Sequence, residues 1–167
     1  MSDREYYFDT AQICLNGHVI CTKCDLYPEE TQKYCKKCGA PTINKCAKCG
    51  EKIKGDEHAY GERVVRRLVQ YSRPSFCTAC GQPFPWTESA IRAARELAEE
   101  QDELNAEEKT TLKNSIDDLV RDTPGATIAA SRFKKMMTKC GKVASDGFKN
   151  ILFNLMSMEI AKHIWPQ

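Results

Sequence analysis

Apolar and polar positions change rhythm once along this chain, after Trp86. Before that point apolar residues come in short runs cut by turn signals. "YYFDTAQICL" (residues 6–15) is aromatic and β-branched and runs into Asn16-Gly17, a strong tight-turn pair, so a strand and hairpin are expected. "ERVVRRLVQYS" (62–72) reads as a further strand and hairpin arm, with Pro74, Pro83 and Pro85 punctuating loops.

After Trp86 the apolar positions recur at helical spacing. Ile91, Ala94, Leu97 and Ala98 form one stripe; Leu112, Ile116, Leu119 and Val120 form the next. Ile128, Phe133, Met136, Met137, Cys140 and Ala144 follow, then Phe148, Ile151, Leu152, Leu155, Met158 and Ile160. Thr87 reads as the cap of the first helix, with Glu88 favourable beside the N-terminal dipole. Asn105 with Glu108 has the spacing of a capping box. Thr123 reads as the next cap, with Pro124 at the first helical position. Gly141 or Gly147 is expected to break the last stretch into two helices, about 124–140 and 144–164.

Ten cysteines change the picture of the N-terminal half. Four Cys-x-x-Cys pairs fall within 60 residues, at 21/24, 35/38, 46/49 and 77/80. Four strained CxxC disulfides in one small region would be unusual, and no signal peptide opens the chain, so thiolates on metal are expected. Gly39, Gly50 and Gly81 each follow the second Cys of a pair, where a zinc knuckle turns with positive φ. Asp25 takes that place after Cys24. A region this small also needs a staple, and structural zinc contributes on the order of 10–16 kcal/mol. The expected fold is therefore α+β: a double zinc ribbon of short β-hairpins over 1–87, then an α-helical domain over 88–167 with about four helices.

Two zinc ions are expected. Cys46, Cys49, Cys77 and Cys80 form a four-thiolate site by spacing, with His58 inside the intervening segment as a candidate substitute ligand. The other site has Cys35 and Cys38 as one half and two candidates for its partner half. Cys21 and Cys24 give ordinary ribbon spacing. Cys14 and His18 flank the Asn16-Gly17 turn, which would bring both together. A cross-brace that interleaves ligands between sites is a third arrangement. If Cys21 and Cys24 are not ligands, they are an inert pair or a redox dithiol.

"ICLNGH", "YCKKCGAPTINKCAKCGEKIKG", "FCTACGQPFPWTE" and "LVRDTP…RFKKM" together resemble a bacterial family of small proteins of unknown function, with a double zinc ribbon and a helical C-terminal region. The resemblance runs from about Gln12 to Trp165. It implies that the Cys and His of CxNGH, Cys14 and His18, face Cys35 and Cys38. Cys21 and Cys24 depart from the family pattern.

Net charge is +2, distributed as +3 over 1–87, −6 over 88–123 and +5 over 124–167. No G-x-S-x-G, phosphate-binding glycine loop or H-E-x-x-H is present, and full sets of four ligands favour closed structural sites, so no enzyme is expected. The functional expectation is a cytoplasmic protein–protein adaptor, binding a partner or itself through Met-rich helical faces in "FKKMMTKC" and "FNLMSM". The alternative is a nucleic-acid binder that uses Arg63, Arg66, Arg67 and Arg73 interleaved with Tyr60, Tyr71 and Phe76. Neither a membrane nor a small-molecule substrate is expected.

Overall fold

The computed structural model describes residues 6–59 and 71–166. The chain is α+β and divides into two compact units, Met1–Trp86 and Thr87–Gln167. The first unit holds strands β1 (Tyr6–Thr10), β2 (Gln12–Cys14), β3 (Val19–Cys21), β4 (Thr42–Ile43) and β5 (Lys54–Ala59). β1 pairs antiparallel with β5, and a second antiparallel sheet has the order β3-β2-β4. Tyr71 and Ser72 are irregular; the rest of the strand expected over 62–72 lies outside the described residues.

Sheets this small are marginal alone. They are joined at Ala11, whose N–H donates to Ile53 O at 2.8 Å, and at the loop after β3. There Cys24 N–H donates to Thr10 O and Asp56 N–H to Thr22 O, both at 2.9 Å. The shared core is Ala11, Ile13, Ile53, Phe84 and Trp86 together with Cys46 and Cys77; Phe84 and Trp86 stack at 4.7 Å. Burying Ile13 and Ile53 contributes about 1.5–3 kcal/mol each. Among the described residues this core is small, and a unit of this size commonly needs a staple such as a bound metal.

The second unit contains α1 (Pro85–Glu99), α2 (Ala106–Arg121), α3 (Ala126–Leu152) and α4 (Met158–Ile164). α1 starts two residues before the cap expected at Thr87, because Pro85 needs no N–H partner and has helical φ already; Thr87 is instead fully buried in the first turn. The Asn105–Glu108 capping box forms at α2, whose Leu112, Ile116, Leu119 and Val120 are all buried. Pro124 does not open α3. Asp122 ends α2 in the left-handed region, and Thr123 O accepts from Ala126 N–H at 2.8 Å, so Pro124-Gly125 forms a turn.

α3 consists of two helical segments joined at Gly141, where φ 83° and ψ 179° leave the helix. Phe133 and Phe148, on either side, meet edge to face with ring centroids 5.4 Å apart. Fifteen residues of straight helix would separate them by roughly 22 Å, so the chain folds back at Gly141. Trp165 adds a second edge contact to Phe133 at 5.9 Å, and its indole N–H donates to Ser145 Oγ at 3.0 Å. The helix expected over 144–164 is divided: it stops at Leu152, and α4 restarts after Ser157, whose hydroxyl accepts from Ile160 N–H. Ile128 and Met158 are exposed rather than buried in the stripes they were expected to join. No helix among the described residues is long and apolar enough to cross a membrane.

Candidate metal centres

Three of the CxxC pairs fold by the same local rule. In each, the glycine N–H donates back to the first cysteine's carbonyl, from Gly39 to Cys35 (2.7 Å), Gly50 to Cys46 (2.8 Å) and Gly81 to Cys77 (2.9 Å). The first cysteine's N–H then closes the loop onto Ala40, Glu51 or Gln82 O, at 2.7–2.9 Å. The turn requires φ of 70°, 80° and 68° at these glycines, a region that favours glycine. A fourth, variant knuckle links β2 and β3. Gly17 N–H donates to Cys14 O (2.8 Å) and Cys14 N–H to His18 O (3.0 Å), with Gly17 at φ 86°, the pattern of a turn closed by a glycine bulge.

These four knuckles meet in consecutive pairs. Cys14, His18, Cys35 and Cys38 converge with all donor atoms within 4.8 Å of one another, and so do Cys46, Cys49, Cys77 and Cys80. A tetrahedral ion about 2.3 Å from sulfur and about 2.0–2.1 Å from nitrogen sets sulfur–sulfur edges of about 3.8 Å and sulfur–nitrogen edges of about 3.5 Å. The observed sulfur–sulfur separations are 3.8 Å for Cys14–Cys38, 3.8 Å for Cys46–Cys80 and 3.7 Å for Cys49–Cys77. His18 Nδ1 lies 3.5 Å from Cys14 Sγ and 3.6 Å from Cys35 Sγ. Both donor sets thus fit one tetrahedral ion each, and the ligands are not interleaved as a cross-brace requires.

Backbone amides favour ionisation at some of the sulfurs. N–H groups of Cys80 and Ala79 hold the Cys77 thiol down to about 7, and the Ala40 N–H lowers Cys38. Cys49 shows the limit of this preparation. The Glu51 N–H lowers it, but burial and hydrogen bonds to the Cys80, Cys77 and Cys46 sulfurs push it up to about 12. Four adjacent thiols cannot all ionise without a cation among them. Around the first set, His18 N–H donates to Cys14 Sγ at 3.2 Å and the Asn16 amide to Cys38 Sγ at 3.5 Å, contacts that orient thiolate ligands.

Residues 7–164 match a family model described as an uncharacterized protein conserved in bacteria (DUF2321), and that span contains both clusters. The chain belongs to the DUF2321 family. No curated protein and no solved structure matches it significantly.

In this DUF2321 protein Cys21 and Cys24 stand outside both clusters. They are buried and serve the loop after β3: Lys23 N–H donates to Cys21 Sγ (3.3 Å), and the Cys24 thiol contacts Cys21 O (3.6 Å). Asp25, in the glycine's place, instead bonds β1: its N–H donates to Asp9 Oδ1 (2.8 Å), and its carboxylate accepts from Thr10 Oγ1 (2.7 Å). Burial first, then the Cys21 thiol and the Asp9 charge, push the Cys24 thiol up to about 12, a poor setting for a reactive dithiol.

The other candidate residues separate. Arg63, Arg66, Arg67 and Tyr60 lie outside the described residues, as does the side chain of His58, whose backbone lies on β5 opposite Tyr7. Arg73 faces inward: its guanidinium donates to Gly17 O at 2.5 Å and lies 5.7 Å from the Trp86 ring centre. Tyr71 packs against the core and its hydroxyl donates to Lys54 O at 2.7 Å. Met136 and Met137 are buried in their own unit, so they do not form an open adaptor face; Met158 is exposed. Cys140 is half-buried, and His163 contacts Ser131 Oγ at 3.3 Å on the surface.

Sequence reasoning passed over two features. One is the inward role of Arg73, which no local pattern signals. The other was visible: residues 31–55 hold seven lysines and one acidic residue, Glu51.

Proposed function

We propose that this protein is a non-enzymatic, zinc-binding interaction adaptor in which two closed zinc sites hold a scaffold for a macromolecular partner. The reading rests on the completeness of the two donor sets: each has four ligands from two facing knuckles, spaced as a tetrahedral ion requires. A catalytic zinc usually keeps a position open for water or substrate. Seven sulfurs and one imidazole suit zinc among the hard and borderline metals. The zinc supplies folding energy, and the chain's own amides and glycines shape its ligands. Exposed Ile128, Val143 and Met158 on the helical unit give a protein partner apolar contacts.

Cobalt substitution tests the closed sites. Cobalt bound at both sites is expected to show intense tetrahedral thiolate spectra that added azide or thiocyanate leaves unchanged. An anion-dependent shift would show an open coordination position and contradict a purely structural role.

A further inference from the structure

We propose that the two central knuckles, residues 33–48, bind the backbone of a single-stranded nucleic acid, with Tyr34 as a stacking platform for a base. The proposal rests on the interaction-adaptor reading and names one partner of its zinc-held scaffold.

The charge is concentrated on a short piece of chain. Between residues 31 and 55 stand Lys33, Lys36, Lys37, Lys45, Lys48, Lys52 and Lys54, against Glu51 alone. All seven are exposed. Two are already engaged: Lys52 pairs with Asp25 at 3.2 Å, and Lys54 lies over the Phe8 ring at 4.8 Å. The other five have no carboxylate partner among the described residues.

Lysines beside thiolate centres also offset ligand charge. Seven thiolates on two divalent ions leave three negative charges, half of the net six positive charges of this stretch. The excess is free to meet an external polyanion.

The lysines sit on rigid backbone. Lys36 and Lys37 lie between Cys35 and Cys38, and Lys48 lies between Cys46 and Cys49, so bound metal fixes the loops that carry them. Lys33 O accepts from Thr42 N–H at 3.2 Å, and Lys45 is bridged to Lys52, which fixes the flanks. Basic groups held this way lose little freedom on binding.

Tyr34 distinguishes a base-bearing strand from any other polyanion. It is 64% exposed, lies between Lys33 and Lys36, and is held by a backbone bridge to Pro41. An exposed aromatic ring among phosphate-binding cations is the arrangement that stacks unpaired bases. A paired duplex offers no free base face for it.

The test uses the full-length, zinc-loaded protein and fluorescein-labelled oligo(dT) and oligo(rU) of about 16 nucleotides, read by anisotropy across a salt series. Saturable binding that weakens with salt is expected. Lys36→Glu/Lys37→Glu/Lys48→Glu should lower the slope of log affinity against log salt by about two. Tyr34→Ala should weaken binding about 5- to 150-fold. Reversal of Lys142 and Lys162 on the helical unit should leave binding nearly unchanged.

Zinc content of each variant is measured in parallel. No saturable binding below about 100 µM at low salt, with two zinc ions present, would overturn this inference and leave the zinc reading intact. Absence of zinc from the wild-type protein would overturn both. Indifference to the lysine reversals, or equal binding of heparin with no effect of Tyr34→Ala, would also overturn it.

Discussion

Arg73 donates a 2.5 Å hydrogen bond to the carbonyl of Gly17 while its guanidinium lies against the Trp86 ring. Gly17 is the residue that turns Cys14 and His18 toward one another. Arg73 comes from the segment leading into the Cys77 knuckle, and Trp86 shares a core with Cys46 and Cys77. The turn of one candidate metal centre is therefore braced by chain that belongs to the other. Arg73→Ala is expected to weaken zinc at the Cys14–His18 centre about 10- to 100-fold, measured by competition with a chromophoric chelator. Gly17→Ala should do more harm. Its methyl would lie 1.8 Å from Arg73 Nη1, at a φ of +86° that alanine resists.

Ligand loss should be unequal in its consequences. Cys14→Ser is expected to cost one zinc of two. Cys21→Ser should keep both, because Cys21 lies outside the clusters. Cys46→Ser and Cys77→Ser should lower the melting temperature further than Cys38→Ser, since Cys46 and Cys77 also pack in the core while Cys38 is exposed. Elemental analysis and calorimetry on the five variants check this ordering.

Cys24 makes stability depend on alkaline pH. Its thiol is raised from 9.0 to about 12 by burial, then by Cys21 and Asp9. Below pH 9 the thiol is protonated in both folded and unfolded chains, and its contribution is fully present. Between pH 9 and 12 the unfolded thiol ionises first, so that contribution is lost as pH rises. Denaturation midpoints of zinc-loaded protein should fall over this window, and Cys24→Ala should flatten the fall. An identical slope in the variant would count against the buried, protonated thiol.

In the helical unit, Asn105→Ala removes the side-chain half of the capping box, Glu108 N–H to Asn105 Oδ1 at 2.9 Å, and leaves the backbone N–H of residue 105 to donate to the Glu108 carboxylate. A loss of about 1 kcal/mol is expected from denaturant unfolding of that unit. The exposed Arg95–Asp117 and Lys113–Glu99 pairs should contribute less than this each.

The parts of the fold that were legible in sequence are those specified by a local rule. The glycine after each second cysteine marks a positive-φ turn, so three knuckles could be read directly. The same reasoning favoured Asn16-Gly17-His18 over Cys24-Asp25, because only the former carries the turn chemistry, but it left both pairs open as ligands. The Asn105–Glu108 box and the Leu112–Val120 stripe were legible for similar reasons. Misplaced features involved two local rules in competition. Pro124 satisfies both a helix start and a Pro-Gly turn, and the left-handed Asp122 before it decided for the turn. At α1, Pro85 preceded the expected cap and took its place. Other relations are tertiary and leave no periodic trace. Arg73 reads as one more surface cation, and its contact with Gly17 spans 56 residues. Asp9 and Asp25, which seat the Cys21–Cys24 loop, are likewise brought together from 16 residues apart.

Zinc K-edge X-ray absorption on the fully loaded protein tests the two donor sets most directly. With Cys14, His18, Cys35 and Cys38 on one ion and four cysteines on the other, the fitted shells should hold seven sulfurs and one nitrogen over two ions, with no water oxygen. Eight sulfurs and no nitrogen would put Cys21 and Cys24 in place of Cys14 and His18, and an oxygen ligand would mean an open site. The first result would contradict the Cys14–His18 donor set, and the second would contradict closed coordination.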